Sequence, residues 1–278
     1  MTPTDPPTDL RFRRRISARV AVLELWAARE LLRTLVEREF RVRYKQAYLG
    51  IAWALVGPVA TLVVFIFLFD NVVEVDTGGA PFALFTYLGL MSWNFAATAI
   101  GASVGSLIGN VVLLNKVYCP REVFPISTTL IAAVDTALSG VVLVVLFAVE
   151  GFVPRWTTIF VPLVLVVHFA FVIGTGLVIS ALVVYLRDIR HGIGLVLQLG
   201  LFATPIGYSL AAVPDGVRHW YSAVNPLAPI IDSYRRLVLY GTAPDYSLLA
   251  VGATTSFALL IGGYVLFKRL ETGFADVL

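Results

Sequence analysis

The chain has 278 residues, 58% of them hydrophobic and 14% charged, with a mean hydropathy of +0.85 and a formal net charge of +3. Soluble domains carry about 25% charged residues, so this composition excludes an ordinary soluble enzyme and places most of the chain against a non-aqueous neighbour. A single cysteine, Cys119, excludes an internal disulfide, and with only three histidines beside it a cysteine-rich zinc site cannot be built.

In chain order, residues 1–18 read as a disordered tail, rich in proline and threonine as far as Asp9. No short apolar stretch with a small-residue cleavage site follows, so no removable signal peptide is expected. Residues 19–47 read as a cytoplasmic amphipathic interface helix. Leu25, Ala28, Leu32, Leu35, Val36 and Phe40 form one stripe, while Glu30, Arg33, Glu37 and Arg41 lie opposite. Such a helix suits a membrane interface, and equally a docking face for a soluble partner. It ends in a basic collar: Arg38, Arg41, Arg43 and Lys45 fall within eight residues, and an uncharged apolar run from Tyr48 to Phe69 begins directly after them. Eleven of the 21 Lys and Arg lie in residues 1–50. Cations this dense suit an anionic inner leaflet, and the adjoining span argues against a nucleic-acid patch.

Residues 48–278 read as a transmembrane domain. Apolar segments fall at about 49–73, 83–109, 123–149, 158–186, 192–212 and 246–267. Each reaches the ~20 residues that carry a helix across ~30 Å of hydrocarbon. The expected fold class is therefore an all-α integral membrane protein with six transmembrane helices. With an inside amino end, seventeen Lys and Arg fall inside and four outside (Arg155, Arg218, Arg235 and Arg236), while the first outer loop holds Asp70, Glu74 and Asp76 and no cation. The positive-inside rule then places both termini in the cytoplasm. Between the fifth and sixth spans, residues 213–245 are too apolar for a plain loop. Proline and glycine break them into two short helical pieces, Gly216–Val224 and Ala228–Tyr240, expected as re-entrant outer helices.

Several features carry two readings. Ala97, Gly101, Gly105 and Gly109 form a small-xxx-small row that permits close helix approach, within or between subunits. Asp135 lies inside the third span, where a carboxylate is costly and functional by default. A hydrogen-bonded structural role is nevertheless favoured over a proton relay with His168, which reads as a packing residue. The cytoplasmic connections 115–122 and 186–191 mix both signs of charge with apolar residues, which serves topology alone or a docking surface. Trp53, Phe65, Phe69, Tyr87 and Trp93 suit interfacial belts and also a path on which sugar rings stack. The sequence holds no phosphate loop, metal-ligand cluster or nucleophile elbow. No catalytic or metal-binding residue is assigned, and any ATP that drives the chain is hydrolysed by a separate subunit.

Taken together, Arg43-Tyr44-Lys45-Gln46, Leu49-Gly50, Trp53-Ala54 and Pro58 resemble the start of the first span in ABC-2 type polysaccharide export permeases, the membrane subunits that export O-antigen, teichoic acid, capsule or wall galactan. Lys116-Val117-Tyr118 with Pro120-Arg121-Glu122 resembles their first cytoplasmic connection, and Tyr185-Leu186-Arg187-Asp188-Ile189-Arg190-His191 their second. Thr204-Pro205-Ile206-Gly207-Tyr208 and Asn225-Pro226-Leu227 match the end of the fifth span and the outer region. The likeness runs from about residue 30 onward. It departs at Ser209-Leu210-Ala211-Ala212, where more proline is expected.

The resemblance implies a homodimer of permeases in a bacterial inner membrane, joined by two cytoplasmic ATP-binding-cassette ATPases that hold the ATP and Mg, so that this chain is not an enzyme and binds no cofactor. The cargo is a polyprenyl-diphosphate-linked polysaccharide, moved through a channel between the permeases. Lys116, Tyr118, Arg121, Glu122, Arg187, Asp188 and Arg190 are then the ATPase-coupling residues. Arg38, Arg41, Arg43 and Lys45 receive the lipid diphosphate, whose phosphates a guanidinium can grip bidentately. Trp53, Phe65, Phe69, Tyr87, Trp93 and Tyr208 line the channel, and Trp220, Tyr221, Asn225 and Tyr234 belong to the outer gate. The alternatives are a secondary transporter built on Asp135, a membrane-embedded glycosyl- or acyltransferase, and a drug or small-lipid ABC-2 exporter. Eighteen Arg against three Lys points to a high-GC genome and tilts the cargo toward a wall galactan.

Overall fold

A computed structural model describes residues 18–45, 52–69, 76–116 and 119–274, and every regular element among them is helical. The amphipathic segment forms α1 (Ala18–Ala27) and α2 (Arg29–Tyr44), broken at Ala28. Leu35 is its buried anchor, with Leu25, Ala28, Leu31 and Leu32 packed around the same cluster. There follow α3 (Trp53–Phe69), α4 (Phe82–Ser106), α5 (Val111–Lys116), α6 (Val123–Val149), α7 (Val161–Tyr185), α8 (Ile189–Ala203), α9 (Asp215–Val224), α10 (Leu227–Arg235) and α11 (Tyr246–Leu270). Pro162 opens α7, where a missing N–H costs nothing. Asp245 caps α11 by accepting from the Ser247 and Leu248 amides at 3.0 and 3.2 Å.

Four helical stretches among the described residues are long and apolar enough to cross a membrane: Phe82–Ser106, Val123–Val149, Trp156–Tyr185 and Tyr246–Gly273. They coincide with the second, third, fourth and sixth expected spans. The first expected span, 49–73, is helical over the 17 residues of α3, and its flanks lie outside the described residues. The fifth requires correction. Residues 192–212 do not form one helix: α8 stops at Ala203 after 15 residues, about 22 Å at 1.5 Å per residue. Thr204 precedes Pro205, whose ring disfavours the helical region for its neighbour, and Thr204 is accordingly extended (φ −96°, ψ 142°). The chain then runs without regular structure through Ser209.

Helix α4 is the centre of the bundle. Leu84, Phe85, Tyr87, Leu90, Phe95 and Ala99 are all buried along it. The Tyr87 hydroxyl donates to the Ser139 carbonyl at 2.8 Å, fastening α4 to α6. The row of small residues running along α4 to Gly109 in the turn after it does not make the closest helix contact among the described residues. A Cβ at Gly105 or Gly109 would meet nothing within 4 Å, and one at Gly101 only the tip of Leu197 at 3.6 Å. The closest approach is between α7 and α11, where a Cβ on Gly174 would lie 2.5 Å from the Leu260 nitrogen and one on Gly263 would lie 2.6 Å from the Gly174 carbonyl oxygen.

The connections sort by end. Residues 119–122, the exit of α7 and the finish of α11 meet at one end together with α2. At the other, Tyr240 donates to the Thr77 carbonyl, the Arg155 amide to Val238 and Thr157 to Leu237. Segments expected on one side of the membrane thus share one end of the bundle, here called the collar end.

Candidate functional site

The collar at the end of α2 divides into one anchored cation and three on its open face. Arg43 donates through Nη1 to Asp135 Oδ2 at 2.7 Å and through Nε to Glu39 at 3.3 Å. The Tyr44 hydroxyl donates to Asp135 Oδ1 at 2.7 Å. Both oxygens of the membrane-span carboxylate are therefore engaged, and its side chain is 19% exposed. Burial, followed by the hydrogen bond to Asp135, pushes the Tyr44 phenol up to about 12, so it remains a donor across the physiological range. Arg38, Arg41 and Lys45, at i, i+3 and i+7, share the other face and are exposed. Arg38 reaches Asn110 Oδ1 at 2.9 Å, and Arg41 lies 3.6 Å from Glu37.

At the same end, the two connections differ. Arg187, Asp188 and Arg190 are exposed on the turn between α7 and α8. Of the first connection, the side chain of Lys116 and all of Tyr118 lie outside the described residues. Arg121 and Glu122 turn inward, away from any docking surface. Glu122 is fully buried and receives Lys268 Nζ at 2.6 Å. Arg121 Nη1 donates to the Glu271 carbonyl at 2.6 Å, with its guanidinium carbon 5.8 Å from the centre of the Phe274 ring. An acid on an apolar turn reads as surface charge; its partner 146 residues away gives no local signal.

The expected channel aromatics are scattered. Phe65, Tyr87 and Trp93 are buried inside the chain's own bundle, and the side chains of Trp53 and Phe69 lie outside the described ones. Trp93 packs so close to α8 that a Cβ at Gly200 would lie 2.5 Å from the edge of its ring. Tyr208 is half-buried, and its hydroxyl is 3.3 Å from that of Tyr221, which also donates to the Ala203 carbonyl. Asn225 Nδ2 donates to Thr204 Oγ1 at 2.9 Å. Tyr234 is buried, its hydroxyl 3.3 Å from His168 Nδ1, while Trp220 is 76% exposed. The outer residues Tyr208, Tyr221 and Asn225 thus gather at the break after α8; Trp220 and Tyr234 do not join them.

Arg235 organises that break. It is fully buried and donates to four carbonyls: Phe85 (3.1 Å), Pro205 (2.9 Å), Ile206 (2.5 Å) and Tyr208 (3.2 Å). Its guanidinium carbon sits 3.5 Å from the centre of the Phe85 ring. Gly89 leaves the necessary room, since a Cβ there would lie 2.9 Å from Arg235 Nη2. The non-helical stretch exposes carbonyls that no helix satisfies, and in an apolar surrounding each needs a donor. The next residue, Arg236, pairs outward with Asp232 at 2.6 Å.

Residues 30–239 match the ABC-2 type transporter family. The chain belongs to that family. It is 30% identical over 256 residues to the O-antigen export system permease protein RfbA of Myxococcus xanthus, covering 92% of this chain and 98% of that one. It is 28% identical over 250 residues to the RfbA permease of Klebsiella pneumoniae (90% and 95%), and 24% identical over 240 residues to the polysialic acid transport protein KpsM of Escherichia coli (84% and 91%). The ABC-2 match spans the collar, both connections and the Arg235 break. The finish of α11, with Lys268 and Glu271, lies beyond it.

Proposed function

We propose that this ABC-2 chain is the membrane-spanning permease subunit of an ATP-driven polysaccharide exporter, acting as a homodimer with two separate cytoplasmic ATPase subunits. The observation that carries the reading is the end-to-end similarity to O-antigen export permeases, which covers 98% of the Myxococcus protein. Both termini and the collar end face the cytoplasm of the bacterial inner membrane. Arg187, Asp188 and Arg190 form the exposed docking turn for the ATPase. The cargo is a polysaccharide carried on polyprenyl diphosphate.

Its head group meets the open face of α2, where Arg38, Arg41 and Lys45 offer charge-assisted bonds to phosphate oxygens. Arg43 holds the helix in place. Tyr208, Tyr221 and Asn225 stand at the outer break through which the polymer leaves. The two engaged oxygens of Asp135 favour this reading over a secondary transporter, whose carboxylate must exchange its proton.

Two measurements test the proposal. Co-expressed with the ATP-binding-cassette subunit of its own gene cluster, the tagged chain retains that subunit through purification; failure to do so overturns the exporter reading. Arg41→Gln with Lys45→Gln inserts normally but lowers surface polymer at least about tenfold, since losing even one of their two charge-assisted phosphate bonds removes about 1.5 kcal/mol. Undiminished export in that variant removes the head-group role.

A further inference from the structure

The finish of α11 gathers side chains from the first collar-end connection and from the end of α7, where the second connection begins. From the first, Glu122 receives Lys268 at 2.6 Å, and Lys268 also holds Glu271 at 2.9 Å. Arg121 donates to the Glu271 carbonyl at 2.6 Å. From the residue just before the second connection, the Tyr185 hydroxyl donates to the Leu270 carbonyl at 2.8 Å. The same hydroxyl lies over Gly273, where a Cβ would collide with it. Phe267 and Phe274 are buried edge to face, ring centres 5.5 Å apart, and Tyr185 lies 6.0 Å from Phe274. Val123, Phe124, Val184 and the α2 anchor Leu35 join the cluster.

A helix end needs donors for its last carbonyls, and nearby side chains or a glycine usually provide them. Here the donors to Leu270 and Glu271 come from the last residue of α7 and from the first connection, 85 and 150 residues away in sequence. A buried ion pair and close-packed rings do not shear gradually; such contacts hold or move as a unit. We propose that the segment Lys268–Phe274 bolts the two connections together, so that a displacement imposed on the Arg187–Arg190 turn reaches α6 and α2 as one rigid movement. Lys268, Glu122, Arg121 and Tyr185 are positioning residues for coupling. The inference rests on the reading of the exposed turn as the ATPase docking site.

The test uses the permease with its ATPase in lipid vesicles. Lys268→Met with Glu122→Gln removes the buried Lys268–Glu122 ion pair of the bolt. The complex is expected to assemble and hydrolyse ATP while export falls at least about tenfold, the scale of a 1.4 kcal/mol loss of coupling. Export within twofold of the parent (about 0.4 kcal/mol) overturns the bolt. Arg187→Glu with Arg190→Glu addresses the docking reading by itself: an ATPase that still binds and couples refutes that reading whatever the bolt does. Should the paired variant not insert, spin labels at Leu186→Cys and Arg269→Cys, in a Cys119→Ser background, give the answer in an otherwise intact chain. Their separation is expected to hold within about 2 Å on ATP binding while Leu186 labels in the two copies shift by more. A changing Leu186–Arg269 distance, or no movement of Leu186 at all, overturns the proposal.

Discussion

Replacing Arg235 by methionine keeps an unbranched apolar stem while removing every donor. The carbonyls of Pro205, Ile206 and Tyr208 lie in non-helical chain and lose the guanidinium that satisfies them. A buried acceptor left without a donor costs about 1–3 kcal/mol. Double-mutant cycles inside membrane bundles sit near the bottom of that range, so about 1 kcal/mol each is appropriate. The cation–π contact with Phe85 adds about 1 kcal/mol. Against these stands the relief of not burying a charge, which brings the expected loss to about 3 kcal/mol. At roughly 2–4 °C per kcal/mol for a chain of this size, the melting temperature in detergent or nanodiscs falls by roughly 6–12 °C. Arg235→Lys recovers only part of this, because one ammonium with three donors cannot serve four carbonyls or stack on a ring. Gly89→Ala supplies the cross-check, since its methyl meets Nη2 at 2.9 Å. Its cost should shrink once Arg235 is methionine, leaving the contact with Ile206. An Arg235→Met melting temperature within about 2 °C of the parent, or strictly additive effects of the pair, would refute the clamp.

Asp135→Asn keeps the shape but replaces a charged acceptor shared by Arg43 and Tyr44; it should lower thermal stability by about 1–3 kcal/mol while sparing some export. A fully stable, export-dead variant would instead favour a direct role for the carboxylate. Gly174→Val should abolish folded yield, because a Cβ there lies 2.5 Å from the Leu260 nitrogen of α11. Gly105→Ala, with nothing within 4 Å, should be neutral or add up to about 1 kcal/mol of helix stability, read by the same melting assay.

Four of the expected spans were legible because an uninterrupted apolar run longer than a bilayer leaves few alternatives. Residues 192–212 are just as apolar, yet only the pair Thr204-Pro205 marks the place where α8 ends. The amphipathic helix was legible from its stripe, with Leu35 buried as the period requires. Partners were less so. Arg235 and Arg236 counted alike as outer cations, but consecutive helical residues point about 100° apart. One therefore faces Asp232 and the other the core. Lys268 counted as an inner cation for topology and proves to be 9% exposed against a fully buried acid. The glycine row from α4 to Gly109 had the right spacing for close packing and lacks that contact among the described residues, while Gly174 and Gly263, on different helices, share no period to detect.

The division of the collar follows from the same physics. Asp135 sits twelve positions into α6, so its carboxylate lies about 18 Å along the helix from Val123. A carboxylate so placed needs donors, and Arg43 and Tyr44 provide one for each oxygen. If Arg43 turned to a phosphate, Asp135 would keep only a neutral phenol, and the gain at the head group would be offset by a stranded charge. Among the described residues Arg41 and Lys45 carry no such obligation toward the bundle: Arg41 stands beside the exposed Glu37. Removing Arg43 should therefore register first as lost stability, and removing Arg41 with Lys45 first as lost export, so a single cluster of cations separates into an anchor and a receiving face.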